Sequence, residues 1–194
     1  MMMSEKLKRG AIVAAREYTT ITGERVTVPA GAGVTHLQFR RFAGCPICHL
    51  HLRSFATRHE EISAAGITEV VFFHSAASAL QGYQALLPFA VVADPDRKVY
   101  REFGVDAHLR AVAHPRALLA AFRGYAKIVG RHDDPDNAGV GGGDGSTHLS
   151  LPADVLIVPD GTVVAVHYGR HADDQWTVDD LLDLNRSVAG KGSP

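Results

Sequence analysis

The chain has 194 residues, 46% of them apolar and 21% charged, and its 20 Lys and Arg against 21 Asp and Glu leave a formal charge of −1. These values suit one domain around a single core, and near-neutrality excludes the basic footprint of a nucleic-acid binder. No apolar run approaches the roughly 18 residues that span a bilayer, and residues 1–9 lack the apolar stretch of an export signal, so no membrane partner and a cytoplasmic location are the expectations.

In chain order, residues 5–17 mix Lys, Arg and Glu with Leu7, Ile12 and Val13 and predict a short amphipathic helix within an N-terminal extension over 1–23. Residues 24–29 (ERVTVP) alternate as a strand. In VTHLQFR, residues 34–40, Thr35, Leu37 and Phe39 fall on one face and Val34, His36, Gln38 and Arg40 on the other. After Gly44, the stretch from Pro46 to Ala65 lacks internal Gly and Pro, and Ile47, Cys48, Leu52, Phe55, Ala56 and Ile62 share a helical face that ends at Gly66. TEVVFF, residues 68–73, is nearly continuous apolar, the pattern of a strand covered on both faces. These three pieces form a βαβ unit.

Further on, the pattern predicts a short helix over 79–87, a buried strand over 89–93, and a turn at Asp94-Pro95-Asp96 into helical KVYREF before Gly104. Residues 115–122 read as helical, whereas 132–150 turn to Asp, Gly and Ser and read as a mobile surface loop. Residues 153–158 and 162–168 read as strands of a hairpin around Pro159-Asp160-Gly161. The last helix starts at Thr177, with Asp180 placed for a capping box. The expectation is one α/β domain over 1–194, with a central mixed sheet and helices on both faces.

The chain holds only two cysteines, Cys45 and Cys48, too few for a disulfide-stapled secreted scaffold. Their Cys45-Pro46-Ile47-Cys48 string stands where a strand feeds a helix N-terminus. The free amides of a first helical turn favour a thiolate, the i, i+3 spacing brings both sulfurs to one side, and Pro46 suits a first helical position. Cys48 falls on the apolar helical face and Cys45 at the cap, which makes Cys45 the exposed attacking thiol and Cys48 the resolving one. Arg41, together with Arg40, is placed to add positive potential, and His49 stands beside the dithiol.

Two other chemistries use the same cysteines. Cys45 to His49 fits the C-x-x-C-H haem pattern, but the only methionines are Met1 to Met3 and no export signal is visible. Zinc would need two imidazoles from the 11 histidines, yet no second CxxC completes a tetrahedral set. The alternative to an enzyme is a zinc-binding or redox-sensing interaction module on these cysteines. No cofactor is expected.

The strings HLQFRRFAGCPICHLHLRSF, VVFFHS, LPFAVVADPDRKVYREFGV and LPADVLIVPDGTVVAVHYGRHADDQW resemble the peroxiredoxin-like branch of the AhpC/TSA family, in the thioredoxin-like superfamily. The resemblance spans about 26–184. It implies a thioredoxin-like fold and turnover of a peroxide or disulfide substrate. It also implies regeneration by an external thiol reductant such as a thioredoxin-type protein, a homodimer as a possible assembly, and Pro152 as a cis-proline against the CxxC. Counting back from Cys48 along the family's P-x-x-x-T-x-x-C pattern places Cys45 at the threonine and Arg41 at the proline, and on that alignment Cys48 would attack.

Overall fold

The computed structural model describes residues 5–105 and 150–190. Its elements, labelled in order among those residues, are β1 (Arg16–Thr19), β2 (Arg25–Val28), β3 (Val34–Arg40), α1 (Pro46–Thr57), α2 (His59–Ala64), β4 (Ile67–Phe73), β5 (Ala90–Ala93), α3 (Lys98–Glu102), β6 (Ala153–Ile157), β7 (Val163–Tyr168) and α4 (Val178–Ala189). The helix expected at 115–122, and the loop at 132–150 up to residue 149, lie outside the described residues.

Five strands form one mixed sheet in the order β5-β4-β3-β6-β7, while β1 and β2 form a separate antiparallel pair. Strand β3 runs parallel to β4, pairing Val34 with Ile67 and Arg40 with Phe73, and antiparallel to β6, pairing Phe39 with Ala153. β4 is therefore an inner strand, which explains why ITEVVFF is buried almost throughout. Leu37, Phe39, Val70, Phe72, Val155 and Ile157 face one side of the sheet and pack with Val99, Tyr100 and Phe103 at α3. On the other side, α1, α2 and α4 bury Leu52, Phe55, Ile62 and Leu181 against Val71, Phe73 and Leu156. Helices thus cover both faces, as the sequence suggested.

The helix expected over 5–17 does not form. Gly10 and Ala11 exchange backbone bonds of 2.8 Å with Val163, and the Val13 amide donates to the Gly161 carbonyl at 2.8 Å, so the segment runs extended along the start of β7. Partners distant in sequence override a weak local helical pattern. The helix expected over 46–65 is two helices. At Arg58 (φ −108°, ψ 19°) the chain tightens, its amide donating to Phe55 O, and the Arg58 side chain reaches Glu61 and Asp179. Residues 79–87 form not one α-helix but two short 3₁₀ turns, Ala77–Leu80 and Tyr83–Leu86, separated where Gly82 takes a non-helical ψ of −123°. At α4 the expected capping box is present in both directions, Thr177 to Asp180 and back.

Candidate active site

Strand β3 delivers Arg40 and Arg41 to a short loop that turns at Gly44, whose φ of 78° disfavours any side chain. That turn sets Cys45 as the N-cap of α1 and Pro46 inside its first turn, where a missing N–H costs nothing. The Cys45 sulfur accepts from the Cys48 amide at 3.5 Å and from Arg41 Nη1 at 3.5 Å. Its carbonyl accepts the His49 amide at 2.9 Å. The loop is tied from outside by the Ala43 amide, which donates to Ser75 Oγ at 2.8 Å. No acidic residue occupies the first turn of α1 to compete for these donors.

Burial alone would raise the Cys45 thiol. The hydrogen bond from Cys48, the Arg41 guanidinium and the amides of Cys48 and Ile47 outweigh it and bring Cys45 down to about 6. Cys48 moves oppositely: burial, the hydrogen bond with Cys45 and the Cys45 charge hold it well above the ordinary thiol range. The two sulfurs therefore divide into a thiolate and a thiol at neutral pH.

The expectation that Cys45 is the exposed member is corrected. Both cysteines are free and each is 2% exposed. Phe42, Ala43, Leu52, Phe73 and Ala172 close around them, Ala172 coming from the loop after β7, a segment that the local helical pattern gives no means of placing. What distinguishes Cys45 is charge stabilisation, not access.

Arg41, Cys45, Pro46 and Cys48 are brought together. His49 is buried in the first turn of α1. Pro152 stands at the entry to β6, buried, with its carbonyl accepting from Gly169 at 2.9 Å. It thereby ties down the start of the loop that carries Ala172. The cis peptide bond among the described residues is Val28–Pro29, so the cis Leu151–Pro152 bond implied by the resemblance is absent; the peptide runs trans directly into the β6 ladder.

Beneath α1 lies a group of polar side chains that the sequence did not single out as a site. His36, Gln38 and Arg40 of β3, Glu69 of β4 and Asp154 of β6 are each at most 2% exposed. His36 Nδ1 meets Glu69 Oε1 at 2.8 Å and Nε2 meets Asp154 Oδ1 at 3.2 Å. With a carboxylate at each nitrogen, both must donate, so the ring is an imidazolium. Burial opposes that charge, but Glu69 and Asp154 raise His36 to about 9. Gln38 donates to Glu69 and accepts from Arg40 Nη2 at 2.6 Å, and Arg40 Nη2 also reaches Asp154 Oδ1 at 2.7 Å and His51 Nε2 of α1 at 2.9 Å. Burial works against the Asp154 carboxylate, yet Arg40 and His36 push it below the usual range. The sequence signal was the alternation of His36, Gln38 and Arg40, which looks identical on a solvent-facing strand.

Two cavities, of about 440 and 400 Å³, lie along β5 and beside α2, and neither is lined by a cysteine. Among the described residues no group of three or more His, Cys, Asp or Glu could hold a metal ion, and no helix is long and apolar enough to cross a membrane.

Known structures share the fold. A peroxidoxin BcpB from Mycobacterium tuberculosis superposes with a TM-score of 0.64 at 18% identity, over 94% of this chain and 98% of that one. A peroxiredoxin-like protein from Aquifex aeolicus gives 0.62 at 12% identity over 96% and 90%. A protein from Chlorobium tepidum assigned to thiol:disulfide interchange (DsbE) gives 0.56 at 17% identity over 95% and 99%. No curated protein matches the sequence. The AhpC/TSA antioxidant enzyme family matches residues 54–171, a span that starts just after the dithiol and takes in β4 through β7. The chain belongs to the AhpC/TSA antioxidant enzyme family and is a peroxiredoxin-like oxidoreductase with the thioredoxin-like fold.

Proposed function

We propose that the protein is a thiol-dependent redox enzyme in which Cys45 attacks and Cys48 resolves. The observation that carries this reading is the Cys45 sulfur held between the Arg41 guanidinium and the Cys48 amide, each at 3.5 Å. With a peroxide, the thiolate attacks one oxygen, the O–O bond breaks, the departing oxygen takes a proton, and Cys45 becomes a sulfenic acid. The Cys48 thiolate then attacks that sulfur, a disulfide forms, and water leaves. With a disulfide substrate, Cys45 displaces one substrate thiol and Cys48 displaces the other. Either way the internal disulfide needs two electrons from an external thiol reductant of thioredoxin type, which fits a reducing compartment such as the cytoplasm.

Electrostatics favours this order. While Cys45 is a thiolate, its charge helps to keep Cys48 protonated. Oxidation to a neutral sulfenic acid removes that charge, so Cys48 ionises more readily only after the first step. Reduced protein is treated with hydrogen peroxide and with a small aromatic disulfide, with mass readout, as wild type, Cys45→Ser and Cys48→Ser. The expected result is an adduct or sulfenic acid trapped on Cys45 in the Cys48→Ser protein and none in the Cys45→Ser protein. The reverse pattern would make Cys48 the nucleophile, and two unmodified thiols in the wild type under both oxidants would remove the redox reading.

A further inference from the structure

Buried ionic groups seldom stabilise a fold beyond what apolar residues of equal volume would provide. The cluster beneath α1 therefore calls for a reason in geometry. Its hub is Arg40, fully buried, with Nε and Nη2 on Gln38 Oε1 at 3.1 and 2.6 Å and Nη2 shared with Asp154 and His51. Its backbone carbonyl and that of Phe72, the latter at 2.7 Å, share the single hydroxyl proton of Tyr100. Residue 40 is thus fixed from both faces of the sheet, by a side chain on one side and a carbonyl on the other.

The Cys45 sulfur sits between two donors that arrive from different elements. Arg41 comes from the end of β3 and the Cys48 amide from α1. The bond from Arg40 Nη2 to His51 Nε2, 2.9 Å, joins those two elements side chain to side chain. An arginine can only donate, so Nε2 of His51 accepts and the ring is neutral; burial and the adjoining Arg40 charge hold it well below the usual imidazole range. The opposing charges that set Arg40 in place come from β6 (Asp154) and, through Gln38, from β4 (Glu69), with His36 between them.

The geometry points to Arg40 and His51 as positioning residues for the dithiol: their hydrogen bond fixes the distance between the end of β3 and the first turns of α1, and so keeps Arg41 and the Cys48 amide both aimed at the Cys45 sulfur. This rests on the dithiol reading of the site. Neither side chain touches a reacting atom; each acts through the two donors.

The test is the pH profile of Cys45 alkylation, read by fragmentation of the peptide that carries both cysteines so that Cys45 and Cys48 are told apart, in wild type, His51→Gln, His51→Asn and Arg40→Lys, with far-UV dichroism checking each fold. Gln places an acceptor oxygen where Nε2 stood, whereas Asn is too short to do so. Lysine offers one ammonium that cannot serve Gln38, Asp154 and His51 together. The expected result is an upward shift of the Cys45 midpoint by about 1 unit in H51N and R40K, as for other losses of a stabilising partner, with H51Q within about 0.2 units of wild type. An unshifted midpoint in folded H51N or R40K overturns the positioning role, and loss of fold in both with H51Q intact marks the tie as structural and overturns it equally. A wild-type protein in which both thiols titrate near the ordinary value of about 8.5 instead removes the dithiol reading itself.

Discussion

Replacing Arg41 by Gln removes a full positive charge from beside the Cys45 sulfur while keeping an N–H donor at the position. At 3.5 Å, the Coulomb attraction between unit charges is about 1.2 kcal/mol in water and about 5 kcal/mol at an effective dielectric of 20. One pKa unit is about 1.4 kcal/mol. Because the Cys48 hydrogen bond stands ahead of Arg41 in lowering Cys45, the low end applies, about 1 unit. The Cys45 midpoint should move from about 6 to about 7. At pH 5 the thiolate fraction then falls by roughly 10-fold. A more basic thiolate is also the better nucleophile, by about 3-fold per unit, so the variant should alkylate about 3-fold more slowly at pH 5 and about 3-fold faster at pH 9. The two rate–pH curves cross between pH 6 and 7. Burial slows both proteins by a common factor and leaves the crossing in place. The assay is iodoacetamide labelling assigned to Cys45 by peptide fragmentation, with the ultraviolet absorbance of the thiolate as an independent titration. Parallel curves, slower by one factor at every pH, would refute the electrostatic role of Arg41.

Three further predictions concern the surrounding structure. His36 is raised from 6.5 to about 9, so its contribution is complete below about pH 6.5 and disappears as pH rises through 9; in a Cys45→Ser/Cys48→Ser background, unfolding free energy should drop by about 2 kcal/mol between pH 7 and 9.5. That corresponds to roughly 1 M less urea at the midpoint, and a midpoint constant over that range would contradict the buried imidazolium. Asp154 is lowered, so the opposite limb is expected: stability is lost as pH falls below the unfolded carboxylate value near 4, and Asp154→Asn should flatten that acid limb. Gly44→Ala forces a Cβ into a φ of 78°, at a cost of about 1–2 kcal/mol, and should raise the Cys45 midpoint by displacing the N-cap sulfur; an unchanged midpoint would show that the turn does not set the cap.

The dithiol junction was legible because every determinant is local. Alternation through residues 34–40, the break at Gly44 and Pro46 before an apolar helical face all lie within about 20 residues of chain, and β3, α1 and the capping box at Thr177 follow from such patterns. The resemblance supplied the fold. What did not show was whatever depends on packing between distant segments. Residues 5–17 carry a helical pattern but take the edge of β7, more than 140 positions away. Cys45 reads as exposed on a helical wheel, yet Ala172 and Phe73 close over its cluster. His36, Gln38 and Arg40 would alternate in the same way on a wet face, and only Glu69, Asp154 and His51, from three other elements, make that face a buried ionic network.

Intact mass of the reduced wild-type protein after one equivalent of hydrogen peroxide, with thiol counting and peptide mapping, addresses the paired sulfur chemistry most directly. The expected product has lost two hydrogens, has no alkylatable thiol, and yields one peptide that contains both Cys45 and Cys48 and is itself two hydrogens lighter than its reduced form. A product that keeps both thiols, or that gains oxygen on one sulfur while the other stays free, would contradict a dithiol that resolves within the same helix turn.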